Sequence, residues 1–457
     1  MTGVRNEDEG VAGRLVSVVT QLTGVAPEEL PVRLRAWDGS VAGPDAAAGV
    51  PTLVVNDPQA LTRLLWSPGE LGLAQAYVTG EIDAEAAGTG AGDPLAEGFA
   101  RLAALARRPD VRLRMPASSP GSAGLAGLAG VADVLRTVRE LGVVRRRPAP
   151  PASQAHLRGR VHTRARDRSV IAHHYDLSNE FYAQILDETM SYSCAYFGAD
   201  AGAVPARTLA DAQRAKLDLL CTALQLSEGQ HLLDVGCGWG STAVHAAENY
   251  RVRVTAVTIS SEQRDWVERL VRERGLDDRV TVMLQDYRDV RGVYDAVSSV
   301  EMGEHVGQRN YPTFIRTLRD RVRPGGRVLL QQMSRRGRHP GGGPFIEAFI
   351  APDMHMRPLG ETVAMLEDGG LEVRAVRGMR EDYARTVDHW IDRFLGNRDR
   401  IVDLVGEEVF RVWNLYLVGG GMAFRQGRMG VDQILATRPG ADAADGTTEG
   451  TGGGDVR

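Results

Sequence analysis

Lysine is almost absent from this chain of 457 residues: Lys216 is the only one. Positive charge therefore rests on arginine, a bias that partly reflects the base composition of the source genome. The formal net charge is −5, so bulk charge gives no argument for a nucleic-acid partner, and none is expected. Cysteine is also scarce. The three present, Cys194, Cys221 and Cys237, are an odd and sparse set, which argues against a disulfide framework and for a reducing compartment. No apolar run reaches the roughly 18 residues that a membrane-spanning helix needs. The opening Met1–Gly10 is polar and acidic, unlike a signal peptide. These absences lead to the expectation of a cytoplasmic protein, with attachment to the inner face of a membrane left open, and of a site without a metal.

Hydrophobic residues make up 43% of the chain and charged residues 25%, as in ordinary globular proteins, and the length suits two or three domains. Residues 1–106 read as a small α+β accessory domain, structural or lipid-contacting. A helical pattern runs from Val11 to Leu22, strand patterns cover Val32–Trp37 and Thr52–Val55, and a helix follows Asp57-Pro58 through Trp66. The phrase from Leu65 to Asp83 alternates helix and turn signals and carries large apolar groups, with no catalytic cluster.

Residues 107–168 change character. Ala, Gly, Pro and Ser dominate 116–130, Val131–Leu141 suits a short helix, and Arg145-Arg146-Arg147 precedes Pro148-Ala149-Pro150-Pro151. Further arginines stand at 158, 160, 164, 166 and 168. This is a basic linker. It reads either as a solvated connector or as an arm drawn to an anionic lipid surface, at about 1 kcal/mol per basic residue near it.

From 169 to 437 strand signals alternate with helix signals. Strands are expected at His231–Val235, Val252–Thr258, Val280–Leu284, Tyr294–Ser299 and Arg327–Gln332, and again at Leu371–Arg377. Helices are expected at Ala206–Leu224, Ser241–Glu248, Ser261–Gly275, Tyr311–Leu318, Leu359–Asp368, Tyr383–Leu395 and Ile401–Gly419. Such alternation predicts an α/β fold with a doubly wound parallel sheet, whose ligand lies beyond the strand C-termini. The tail 438–457, rich in Gly, Ala, Asp and Thr, reads as disordered.

The stretch L-L-D-V-G-C-G-W-G-S at Leu232–Ser241 is a strand, a glycine-rich turn and a helix start, the parts of a nucleotide or cofactor cradle. A dinucleotide cradle also needs an acid about 20 residues on, for the ribose. Here the second strand ends V-T-I-S without one, so a nicotinamide cofactor fits poorly. Asp286, after the third strand, could accept a hydrogen bond from an adenine amino group. S-adenosylmethionine fits better, since its sulfonium calls for aromatic faces, for which Tyr192, Tyr196, Phe197 and Trp239 are candidates.

At this point a resemblance emerges. H-Y-D-L-S-N-E-F-Y (174–182), S-Y-S-C-A-Y-F (191–197), L-D-V-G-C-G-W-G (233–240), T-I-S-S-E-Q (258–263), Q-D-Y-R-D (285–289), E-M-G-E-H-V-G (301–307) and E-D-Y-A-R-T (381–386) resemble, in this order, the cyclopropane fatty acid synthase family. The likeness covers about 169–435, and the N-terminal part resembles the accessory domain of the full-length bacterial members. It implies a class I S-adenosylmethionine-dependent methyltransferase with a Rossmann-like sheet, adding a methyl to a cis double bond in a phospholipid acyl chain. It further implies that Tyr192 and Ser193 touch the cofactor. Asp234, Gly236, Gly238 and Gly240 would hold its methionine end, Thr258 and Gln263 its ribose, and Gln285 and Asp286 its adenine. A bound bicarbonate would be the base, held at Cys194, Glu304, Gln331 and Tyr383, with Cys194 acting through its backbone and Glu304 raised in pKa. His305 could be a base, but a structural role is favoured for it, as for His173, His174 and His389.

Two positions depart from the family pattern: Gln331 replaces a usual histidine and Glu301 a usual glycine. Gln can hydrogen-bond an anion but cannot carry a proton. Ring closure is therefore in doubt, and loss of a proton from a neighbouring carbon would give a methylene branch. The chain resembles the actinobacterial members thought to make mid-chain branched fatty acids, with a separate flavin- or NADPH-dependent reductase completing a methyl branch. Cyclopropanation is the alternative product. A lipid-binding protein with a degenerate methyltransferase core, or a small-molecule methyltransferase, are alternatives of another kind. The apolar segment Phe345–Met356 argues for a long lipid chain instead. The oligomeric state, including a homo-oligomer, stays open.

Overall fold

A computed structural model of the chain describes residues 10–87, 93–106, 108, 140–141, 146–155, 163, 166, 177–198, 208–336 and 341–440. The chain forms two compact units, Met1–Gln154 with Val405–Met422, and Ala155–Leu404 with Ala423–Arg457.

In the first unit the strands β1 (Arg33–Arg35), β2 (Val41–Ala42), β3 (Thr52–Val55) and β4 (Ile82–Glu85) form a sheet in the order β2-β1-β3-β4. Helices Val11–Thr23, Gln59–Trp66, Glu70–Val78 and Pro94–Ala106 accompany it. Two of the strands were not legible beforehand, because β2 is two residues long and β4 is half charged. A buried ion pair, Arg63 Nε to Glu81 at 2.8 Å, ties the first of the middle helices to the start of β4. The expected helix Val131–Leu141 lies outside the described residues apart from Glu140 and Leu141, as do Arg145, Arg158, Arg160, Arg164 and Arg168 of the basic stretch.

The second unit is built on a seven-stranded sheet: β5 (His231–Val235), β6 (Arg253–Thr258), β7 (Val280–Leu284), β8 (Tyr294–Val300), β9 (Val322–Arg335), β10 (Glu372–Gly378) and β11 (Met429–Thr437). Their order is β10-β11-β9-β8-β5-β6-β7, and β5 to β9 run parallel. The strand β5 lies at the centre because His-Leu-Leu-Asp-Val offers an apolar side chain to each face. Leu232 joins one apolar core and Leu233 the other, one on each side of the sheet. From β5 the chain winds outward through β6 and β7, then returns to place β8 on the other side. The reversal between β5 and β8 opens a crevice at the strand C-termini, where open α/β sheets bind ligands.

Two strand expectations need correction. The strand β9 is 14 residues long, beginning at Val322, so the Arg323-Pro324-Gly325-Gly326 turn falls inside its span. The final strand β11, absent from the sequence reading, pairs antiparallel with both β9 and β10. Its alternation is hidden by the buried polar residues Asp432 and Gln433. These are satisfied across the sheet by Ser334 Oγ, donating to Asp432 at 2.5 Å, and by Gln331, 3.4 Å from the Gln433 amide. The long helix Arg398–Arg425 carries a non-helical Gly406 (φ 80°).

Candidate active site

The turn after β5 is built to leave its inner side open. Gly236 (φ 78°) and Gly238 (φ 53°) take the left-handed conformation that glycine adopts without penalty. A Cβ on Gly238 would meet nothing within 4 Å, whereas one on Gly236 would press on Met302. Helix Ser241–Tyr250 starts here with no side-chain cap, leaving its first amides to the crevice. The result is a cleft of about 1300 Å³, counting its open mouth.

Of the residues expected at a cofactor, Tyr192, Ser193, Asp234, Gly236, Gly238, Thr258, Gln263, Gln285 and Asp286 line this cleft. Gly240 does not. Its Cβ would fall 2.8 Å from Val267, so it lets the helix pack closely on its neighbour. Asp234 is buried, with Oδ1 accepting from Ser298 Oγ at 2.8 Å and Oδ2 without a partner. Burial pushes its carboxyl up to about 6. Gln285 Oε1 is likewise buried and unpartnered. Orphaned polar atoms of this kind ask for a ligand, and both residues stand on the cleft wall. Asp286 differs from expectation in one respect: its carboxylate takes three hydrogen bonds from Arg288, at 2.7, 2.7 and 3.0 Å. Thr258 Oγ1 donates to Gln263 Oε1 at 2.8 Å, so this pair positions itself at the cleft wall.

Aromatic rings continue from the turn. Trp239 lies 4.6 Å from Tyr182, Tyr182 5.7 Å from Tyr192, Tyr192 5.4 Å from Trp390, Trp390 5.9 Å from Tyr383, and Tyr383 4.3 Å from Phe424. The Trp239 indole N–H is held by Asn179 Oδ1 at 2.8 Å. Two of the four expected sulfonium neighbours, Tyr196 and Phe197, are not on the cleft wall. Phe197 is buried, stacked on His389 with Arg385 over it, and Tyr196 lies under Arg377. Arg377 and Arg385 hold these two rings elsewhere, and of this segment's rings only Tyr192 lines the cleft.

Three of the four residues expected around bicarbonate, Cys194, Gln331 and Tyr383, do converge, but on a side chain of the protein. Glu301 Oε1 accepts from the Cys194 backbone N–H at 2.8 Å and from Gln331 Nε2 at 3.1 Å, and Oε2 accepts from Tyr383 Oη at 2.6 Å. Glu301 lines the cleft, at φ 49°, where a glycine would sit without strain and a glutamate costs about 1 kcal/mol. Glu304 is buried nearby. Its Oε1 accepts from Met333 N at 3.4 Å and its Oε2 has no partner. Burial and the neighbouring Glu301 charge push Glu304 up to about 8, while burial alone raises Glu301 despite its donors. Bicarbonate does not fit this arrangement, because the donors that would hold it are spent on Glu301.

Lys216 was overlooked in the sequence except as a count. It is fully buried, donates to Ser193 Oγ at 3.0 Å, and its charge acts on Glu301, Asp187 and Asp234. A buried cation among carboxylates at helical spacing gives no signal in a single sequence. The Cys194 thiol is pushed well up by burial and donates to the Ala195 carbonyl at 3.2 Å, so it is no nucleophile. Cys221 is core, Cys237 belongs to the turn, and His305 stands on the cleft wall. Half of the residues of Phe345–Met356 are buried, with Pro352 and Asp353 reaching the cleft. The arm residue Arg166 is paired with Asp353 at 2.7 Å rather than solvated. Among the described residues no cluster suits a metal ion and no helix is long and apolar enough to cross a membrane.

A parallel sheet with its last strand reversed and a glycine turn after the first strand define an S-adenosylmethionine-dependent methyltransferase fold. The chain belongs to the mycolic acid cyclopropane synthetase family, whose pattern matches residues 162–434. It is 36% identical over 420 residues to the probable fatty acid methyltransferase Rv3720 of Mycobacterium tuberculosis, covering 89% of this chain and 91% of the relative. It is 33% identical to tuberculostearic acid methyltransferase UfaA1 of the same organism, covering 94% and 93%. Among solved structures, mycolic acid cyclopropane synthase CmaA1 complexed with SAH and CTAB aligns with a TM-score of 0.55 at 31% identity, over 59% of this chain and 98% of that one.

Proposed function

We propose that this protein methylates the cis double bond of a phospholipid-bound unsaturated acyl chain, such as an oleoyl group, and releases a mid-chain methylene branch. The observation that carries the reading is the file of rings from Trp239 to Phe424, which ends beside the Tyr383–Glu301 pair. S-adenosylmethionine supplies a methyl on a sulfonium, which a poorly nucleophilic alkene takes only when held in line and close. The acyl chain then carries a positive charge that water would trap. Aromatic faces stabilise such a charge and keep water out. Asp234, with its free Oδ2, suits the amine of the cofactor, and Gln285 its adenine.

The product follows from the order of events on the acyl chain. Loss of a proton from the new methyl with closure onto the cationic carbon gives a ring. Loss of a proton from a neighbouring chain carbon would give an internal alkene instead, so the methylene needs a hydride shift from the methylated carbon first, followed by loss of a methyl proton. Either way the acceptor is a base at the cleft. A departure from the usual histidine at Gln331, and the likeness to a tuberculostearic acid methyltransferase over nearly the whole chain, favour the branch. A separate flavin- or NADPH-dependent reductase would turn it into a methyl branch. Attraction of the basic stretch to an anionic bilayer would bring the protein to its substrate, with Arg146 and Arg147 exposed for it.

The test is incubation with S-adenosylmethionine and oleoyl-phospholipid vesicles. The expected result is S-adenosylhomocysteine together with acyl chains heavier by one CH2. Unchanged lipid with cofactor binding intact would mean another acceptor, and failure to bind the cofactor in a calorimeter would indicate a lipid-binding protein with a degenerate core.

A further inference from the structure

We infer that Glu301 is the built-in base of this enzyme, a carboxylate of the chain standing where a bound bicarbonate would otherwise be needed, so that turnover is independent of bicarbonate. The inference rests on the proposed reaction for its chemistry, but its geometry stands alone. Three donors on separate elements, the Cys194 amide, the Gln331 amide and the Tyr383 hydroxyl, converge on one carboxylate. A carboxylate and a bicarbonate present the same pair of oxygens to such donors. The side chain is reached from a backbone in the left-handed region, which a glutamate occupies only where its surroundings hold it there. Its backbone N–H is fixed by the Gln331 carbonyl at 2.6 Å, so one residue anchors both ends of Glu301.

The charges around it complete the case. Lys216, buried and donating to Ser193 Oγ, acts on Glu301 more than on any other carboxylate and so favours its ionised form. Glu304, protonated near neutrality, leaves the pair with one negative charge rather than two. Glu301 Oε1 accepts two hydrogen bonds and Oε2 only one, so Oε2 keeps a lone pair for an incoming proton. In the proton-transfer step a C–H bond of the newly added methyl breaks and an O–H bond forms at Glu301 Oε2. The C–H electron pair becomes the new carbon–carbon bond of the methylene or ring, which discharges the cation. The proton then leaves to solvent through the open cleft once the lipid departs. No oxidant or metal is required.

The experiment compares the full-length protein with Glu301→Gly and Glu301→Gln in CO2-free buffer, with and without added bicarbonate or formate. Turnover of oleoyl-phospholipid vesicles is measured, and binding of 13C-labelled bicarbonate and formate is followed by NMR without lipid. The wild type should turn over equally with and without bicarbonate and bind neither ion. Glu301→Gly should lose at least 100-fold in rate, as loss of a general base does, should bind formate, and should recover activity saturably with either ion. Glu301→Gln, which keeps the cradle filled with a group that accepts no proton, should stay inactive and unrescued. Calorimetric binding of S-adenosylhomocysteine by each variant certifies the fold. A wild type that stops without bicarbonate or binds it overturns the inference. So does a folded Glu301→Gly that binds no formate or turns over without any added ion. Should no lipid be turned over by any form, the reaction is wrong, and the NMR arm still decides whether Glu301 fills the anion site.

Discussion

Replacing Glu304 by Gln should flatten the pH dependence of the catalytic unit's stability between about pH 5 and 8. Glu304 is buried, with one hydrogen bond of 3.4 Å and one orphaned oxygen, and its carboxyl is raised from 4.5 to about 8. The folded state therefore keeps a proton that the unfolded chain loses near 4.5. Folded-state stability falls as pH climbs through that window and levels off above about 8. One proton corresponds to about 1.4 kcal/mol per pH unit, so between pH 5.5 and 7.5 the wild type should lose about 2.7 kcal/mol more than the variant. Asp234, raised to about 6 in both forms, cancels in the comparison. Urea unfolding at each pH, read by pulsed hydrogen exchange of the peptide Val322–Arg335, isolates this unit's own transition. Parallel curves for the two proteins would refute the reasoning, since Glu304 would then be ionised in the fold.

Other outcomes follow from the same geometry. Gly238→Ala should cost only about 1 kcal/mol of stability, because its Cβ meets nothing, yet weaken S-adenosylhomocysteine binding at least tenfold by calorimetry, because that Cβ enters the cleft. Lys216→Met removes the cation facing Glu301, so the rising limb of the pH–rate profile should move to higher pH, as measured with lipid vesicles. Cys194→Ser should keep activity within a few-fold, since the backbone amide and not the thiol contacts Glu301, and wild-type Cys194 should resist iodoacetamide in the native state as judged by mass spectrometry. Vesicle binding should weaken with salt, and neutralising Arg146 and Arg147 should weaken it further in a sedimentation assay.

Much of the catalytic unit was legible because its signals are local. A buried strand, a glycine turn and a helix start at Leu232–Ser241 are read from periodicity and backbone freedom, and the structure forms them in the same order. The strand β11 was not legible, because buried polar pairs such as Asp432 with Ser334 look like surface residues in one dimension. The same holds for the site. The departures at Glu301 and Gln331 could be noticed one by one, and the lost histidine argued for a changed outcome. That they touch each other, and that Glu301 takes the donors of an anion site, depends on segments as distant as Cys194 and Tyr383 folding together. Lys216 carried no signal at all, since a lysine on an amphipathic helix reads as a solvated charge. Tyr196 and Phe197 were wrongly grouped with Tyr192 because a motif does not say which way an extended segment turns its side chains.

The measurement that tests the central claim most directly is proton NMR of the lipid formed from S-adenosylmethionine and oleoyl-phospholipid vesicles, because ring and methylene products have the same mass. Vinylidene protons are the predicted result and would establish the branching reaction. Upfield cyclopropane protons would contradict it, showing that a chain with Gln331 and Glu301 at its base still closes the ring.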